Sequence, residues 1–201
     1  METFNPDTQA DRSPMIPTKE EAEAAVRTLL LWVGEDPSRE GLLETPGRVV
    51  RAFREMAGGK LRPDPGDVLG KVFSAPDCDE MVWVRGIRFS SMCEHHLLPF
   101  TGRITLAYIP SGKVVGLSKI PRLACALTAR PQLQERLTAE IAGVFMERVA
   151  PLGVGVVVQA HHHCMGCRGA RQPDAEMVTS CLLGNFREAS VRAEFLSMVK
   201  T

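Results

Sequence analysis

Two short stretches hold every histidine of this chain: Ser90-Ser91-Met92-Cys93-Glu94-His95-His96 and His161-His162-His163-Cys164-Met165-Gly166-Cys167-Arg168. They also hold three of its six cysteines. Thiolate and imidazole are the usual donors to zinc, so the two stretches point to a metal site. Cys93-x-x-His96 brings two donors within reach of one ion, and a shared site requires the fold to bring the second stretch to the first. If Val154 to Cys164 forms one strand, period two puts His162 and Cys164 on the same face, about 7 Å apart along it. That would suit a ligand with a proton-transfer residue beside it. Cys93, His96 and Cys164 would leave one tetrahedral position open for water, as a catalytic zinc needs. Adding Cys167 would instead close a structural site. Spacing alone leaves both arrangements open.

The elements that must position these residues follow from periodicity. Residues 1–17, with Pro6, Pro14 and Pro17 among polar residues, are expected to form a disordered arm. Thr18-Lys19-Glu20-Glu21 has the form of a capping box. The helix it starts carries Ala22, Ala25, Val26, Leu29, Leu30 and Val33 at helical spacing and stops at Gly34. A second helix is predicted from Thr45-Pro46 to Gly58-Gly59, with Val49, Val50 and Phe53 as its buried side. A connector follows to Pro76, so residues 18–76 form a helical N-terminal region with its connector. Residues 77–201 form the domain that carries the chemistry.

In that domain Met81 to Val84 and Arg103 to Ile109 read as strands, the second with Ile104, Leu106 and Tyr108 on one face. Val114 to Leu117 is expected to extend the second strand. Ser118 is expected to cap a helix bearing Ile120, Leu123, Ala124 and Leu127, and Pro131 to start another bearing Leu133, Leu137, Ile141, Val144 and Phe145. Val154 to Ala160 and Met177 to Leu183 are the last strands, and a helix around Val191 to Val199 closes the chain. Strand, strand, helix, helix, strand, strand implies an α+β fold, one antiparallel sheet with helices on one face. Its open edges would be covered by edge-to-edge assembly. Cys125 and Cys181 are expected to be buried thiols.

Composition narrows the function. Formal net charge is +0, so no overall basic field argues for nucleic acid or an acidic membrane surface. No apolar run reaches membrane-spanning length, and the first residues lack a basic start and an apolar core; a cytoplasmic protein is expected. An anionic substrate would have to be met by a local group of Arg and Lys.

Cys93-Glu94-His95-His96, Gly116-Leu117-Ser118-Lys119, Gln132-Leu133-Gln134-Glu135-Arg136-Leu137 and His162-x-Cys164 resemble, in order and spacing, the motifs of type I GTP cyclohydrolases. The resemblance runs from Leu42-Leu43-Glu44-Thr45-Pro46 to Glu194-Phe195-Leu196. It implies the tunnelling fold, a toroidal homodecamer with active sites between subunits, and conversion of GTP and water to 7,8-dihydroneopterin triphosphate and formate. It further implies zinc on Cys93, His96 and Cys164, with Cys167 outside the ligand set, and His162 as acid–base group assisted by His95. Ser118 would stand near the ribose, and Glu135, with Gln134 beside it, would receive the guanine N1–H and 2-amino donors. Lys119, Arg122, Arg168 and, across a subunit interface, Arg48 would hold the triphosphate. A non-catalytic protein with closed zinc is disfavoured by the presence of Ser118, Glu135, His162 and the Arg/Lys set. Another tunnelling-fold enzyme is disfavoured by the joint presence of Cys-Glu-His-His and His-x-Cys.

Overall fold

The computed structural model describes residues 16–61 and 64–199. The arm expected at residues 1–17 falls almost wholly outside them. The chain forms two compact units, one ending at Arg54 and the other starting at Glu55. The first holds helix α1 (Lys19–Trp32) and most of α2 (Thr45–Ala57). The Thr18 hydroxyl accepts from Glu21 N–H while the Glu21 carboxylate accepts from Thr18 N–H, which is the capping box expected. The buried face expected on α2 is only partly realised: Pro46 is buried, Val49 and Val50 are half-buried, and Phe53 is exposed. Two short helices cannot enclose their own apolar faces.

The second unit contains β1 (Val72–Ser74), β2 (Val82–Cys93), β3 (Pro99–Ile109), β4 (Lys113–Val115), α3 (Lys119–Thr128), β5 (Pro131–Gln132), α4 (Gln134–Val149), β6 (Gly153–His162), α5 (His163–Gly166), β7 (Glu176–Gly184) and α6 (Ala189–Val199). Five strands form one sheet in the order β5-β2-β3-β6-β7, antiparallel except for β5 beside β2. This is the α+β tunnelling fold. Ile104, Leu106 and Tyr108 lie opposite Val158, Val156 and Val154 on β6, and all six are buried. Leu123 and Leu127 of α3 and Leu137, Ile141 and Phe145 of α4 close over this face.

Four expectations are corrected. The strand at Val82 runs on to Cys93, passing a bulge between Val84 and Ile87 where Gly86 takes φ 70°. The stretch from Val114 to Leu117 does not extend β3: the segment Lys113–Val115 turns back to pair with β1 in a separate two-stranded sheet. Pro131 does not start a helix. It lies on the edge strand β5, where a residue without N–H is tolerated, and α4 begins at Gln134. Finally, helices cover both faces of the sheet. Phe186 and Phe195, the latter from α6, pack on Trp83, Ala107 and Val157, with Trp83 and Phe195 stacked at 5.0 Å. Gly155 permits this approach, since a Cβ there would meet the Phe186 ring at 2.5 Å.

Cys125 is exposed and Cys181 half-buried, contrary to expectation. Cys125 follows Ala124 on α3, one residue and so about 100° off the face buried by Ile120, Leu123, Ala124 and Leu127. Among the described residues no helix is long and apolar enough to cross a membrane.

Candidate active site

Cys93 is the last residue of β2 and is buried. The turn after it is closed from both sides: Cys93 N–H donates to Leu98 O at 2.9 Å and Leu97 N–H donates to Cys93 O at 2.9 Å. Closing it so tightly puts Leu97 in the left-handed region, φ 55°, which is costly for a residue with a Cβ. The turn brings His96 back over Cys93, with Nδ1 3.8 Å from Sγ. β5 braces the same corner, because Glu94 N–H donates to Gln132 O at 3.1 Å.

The second stretch arrives differently from the expected continuous strand. β6 ends at His162, opposite Phe100. The next residue of β3, Pro99, has no N–H for a further rung, and its carbonyl accepts from His163 Nδ1 at 3.1 Å. The chain then coils into α5, with Cys167 N–H donating to His163 O. Cys164 therefore reaches the site from a helical turn, and the shared strand face expected for His162 and Cys164 is not formed.

The two stretches nevertheless converge. One donor atom from each of Cys93, His96 and Cys164 lies within 4.8 Å of the others. Around a tetrahedral zinc, sulfur and nitrogen ligands stand about 3.6–3.8 Å apart, so the trio needs only a small contraction to bind one. Burial pushes the Cys164 thiol up, and the Cys93 sulfur beside it adds to the effect. A cation between the two sulfurs would reverse both influences. Donor type and spacing thus fit a zinc ion. Cys167, exposed at the end of α5, is not part of the group.

His162 is held on two sides. Its ring stacks on buried Phe100 with centroids 4.6 Å apart and planes 3° from parallel, and its Nε2 lies 2.8 Å from Gln134 Oε1. Burial lowers the imidazole below its ordinary value, opposed by the charge of Glu135. That direction favours the neutral ring, the form that can accept a proton. A cavity of about 200 Å³ opens beside it, lined by His161, His162, His163, Gly166, Cys167 and Pro173.

The remaining expected residues divide by position. Glu135 is exposed at the start of α4, close enough for its charge to reach His162. Gln134 is buried and its carboxamide is fully engaged within the protein. His95 is exposed, its ring edge-on to His96 at 6.2 Å. The Arg168 charge reaches Cys164. Ser118 occupies the N-cap position of α3 but its side chain makes no cap bond, contrary to expectation. Lys119 starts α3, and Arg122 lines a separate cavity of about 480 Å³ with Asp64, Asp67 and Cys125. Arg48 is exposed in the first unit and pairs with Glu44.

Sequence reasoning missed three contributors. Phe100 gave no signal beyond that of a core aromatic. Glu94 pairs with Arg136, whose Nε donates to buried Gln132, so the first stretch is tied to α4. The contact of Gln134 with His162 spans 28 residues and has no local signature.

Comparison with known proteins places the chain in a family. Residues 22–200 match the family described as GTP cyclohydrolase I. The GTP cyclohydrolase 1 of Rhodopirellula baltica is 53% identical over 178 residues, covering 88% of this chain and 77% of the relative. That of Thermoanaerobacter pseudethanolicus is 50% identical over 185 residues, covering 91% and 97%. That of Thermobifida fusca is 49% identical over 196 residues, covering 96% and 94%. With half of all positions shared across nearly the whole length, and with cysteine and histidine donors gathered at one end of the sheet, this chain belongs to the GTP cyclohydrolase I family of enzymes.

Proposed function

We propose that this chain converts GTP and water to 7,8-dihydroneopterin triphosphate and formate, the first step toward tetrahydrofolate or tetrahydrobiopterin, with one zinc ion held by Cys93, His96 and Cys164. The observation that carries the reading is the convergence of these donors within 4.8 Å. Two thiolates and an imidazole suit zinc, and three protein ligands are the number found at catalytic sites. When bound, the ion supplies Lewis acidity that makes water nucleophilic near neutral pH.

The side chains around it have separable tasks. His162, its ring stacked on Phe100, accepts and returns a proton as the guanine imidazole ring opens. His95 holds hydrogen bonds beside it. The Glu135 carboxylate accepts both N1–H and the 2-amino group of guanine, two adjacent donors that one carboxylate can take together. The Ser118 hydroxyl, unused as a helix cap, addresses the ribose during its rearrangement.

The triphosphate requires positive charge that a protein of formal net charge +0 must supply locally. Lys119 and Arg122 stand in the first turns of α3, where free N–H groups and the helix dipole also favour an anion. Arg168 and Arg48 complete the set, Arg48 from a neighbouring subunit of a toroidal homodecamer. Gln134, whose amide is engaged within the protein, has a different part. Incubating the purified zinc-loaded protein with GTP tests the reading: formate and a dihydropterin absorption band should appear together. GTP that remains intact would overturn it.

A further inference from the structure

The carboxamide of Gln134 can be oriented without ambiguity. Its nitrogen lies 3.1 Å from Val158 O and 2.9 Å from Met177 O, two backbone carbonyls that only accept. The atom facing them must therefore be the NH₂ group, which leaves Oε1 facing His162. The hydroxyls beside it fit the same assignment. Thr138 Oγ1 donates to Gln134 O at 2.7 Å, so at its 2.6 Å contact with Thr179 it is the acceptor. Thr179 Oγ1 then has a lone pair for Gln134 Nε2, 3.2 Å away. Gln134 is only 1% exposed, so neither water nor solvent-facing substrate groups compete for this amide.

An amide oxygen only accepts, so the 2.8 Å contact to His162 Nε2 exists only when that nitrogen carries the proton. In a neutral imidazole the other nitrogen, Nδ1, is then the acceptor. Phe100 stacking keeps the ring in the plane in which this bond is made. We propose that Gln134 is a positioning residue for His162, its carboxamide holding the ring proton on Nε2 and so presenting Nδ1 as the base, and that it does not recognise guanine. This deepens the functional reading above and rests on it. The strands supply the template: Val158 and Thr179 are opposite one another on β6 and β7, as are Ala160 and Met177, so the sheet that carries His162 also orients the amide that sets its tautomer.

A double-mutant cycle on the zinc-loaded enzyme tests the proposal. Gln134→Met removes the acceptor at similar volume and should lower kcat on the order of 10- to 100-fold, as loss of groups that orient a catalytic histidine does. KM for GTP should stay within about threefold, because the lost interaction is not a substrate contact. Combined with His162→Ala, the same substitution should add no further loss, since its effect passes through the ring that is gone. A raised KM with unchanged kcat would make Gln134 a guanine contact and overturn the proposal. Additive losses, or a fully active Gln134→Met enzyme, would overturn it equally. Should Gln134→Met fail to fold, the parent zinc-loaded enzyme still tests the idea: nitrogen NMR of ¹⁵N-labelled histidine should show His162 as the Nε2–H tautomer, and an Nδ1–H tautomer rejects it. A His162→Ala enzyme with wild-type turnover would instead overturn the acid–base role of His162, a separate failure from that of Gln134.

Discussion

At the scale of single residues, the two cysteines of Cys164-x-x-Cys167 distinguish an open metal site from a closed one. Both are thiols on one short helical segment, yet only Cys164 joins Cys93 and His96. In a closed site, losing either thiol would break the tetrahedron and release the ion. In an open one, Cys167 is dispensable. Cys167→Ser should keep about one zinc per chain and turnover within a small factor, whereas Cys164→Ser should lose both. Metal analysis alongside the GTP assay reads the difference, and equal loss of zinc from both variants would reject the three-ligand site. The thiol pairing itself is a liability that the ion removes. Burial and the neighbouring Cys93 sulfur hold the Cys164 thiol against ionisation, and a cation between the two sulfurs would reverse both influences.

At the scale of elements, the turn joining β2 to β3 is where backbone conformation and ligand geometry meet. Leu97 holds φ 55° so that Cys93 can bond both Leu98 and Leu97 and His96 can fold back over Sγ. A left-handed residue with a Cβ costs roughly 1–2 kcal/mol, and a β-branched one costs more. Glycine relieves that cost but loses more chain entropy on folding, roughly 0.5–1 kcal/mol. Leu97→Gly should therefore leave stability nearly unchanged and keep zinc. Leu97→Val should lose on the order of 1–2 kcal/mol and hold zinc less tightly, because the turn that presents His96 opens. Denaturant midpoints and zinc retention during dialysis against a chelator check this. A Leu97→Val protein as stable and as metal-retentive as the parent would show that the turn does not constrain the site. The same reasoning explains why Cys164 comes from α5. The β3–β6 ladder runs out at Pro99, so the chain can coil there without forfeiting a backbone pair.

At the scale of the whole molecule, the proposed substrate set is spread over both units. Arg48 lies in the first, while Lys119, Arg122, Glu135, His162 and Arg168 lie in the second. Arg122 lines a cavity that shares no residue with the one beside His162. In the proposed ring assembly, a neighbouring subunit would supply Arg48 to the triphosphate. The nine-residue strand β7 is the outer strand of the sheet, and pairing it with another chain would cover its free edge. The protein should then behave in light scattering as a large ring assembly, and diluting it to smaller species should cost activity along with size. A fully active monomer would contradict the placement of Arg48 at a shared site.

What the sequence determined by itself was local. Donor types at Cys93, His96 and Cys164, the capping box at Thr18, and the order of strands and helices are each encoded within a few neighbouring residues. Periodicity put Ile104, Leu106 and Tyr108 on one face because strand geometry alternates regardless of partners. The tertiary structure decided what depends on distant partners. The two-residue strand β5 has no period to read, yet it sets where α4 starts and so where Gln134 and Glu135 stand. The second buried face required Phe186 and Phe195 to return from the end of the chain, which alternation in β3 and β6 could not announce. Most of all, the proton position on His162 follows from an amide 28 residues away, itself oriented by two strand carbonyls. Hydrogen-bond direction is a property of the packed pair, and neither sequence segment contains it alone.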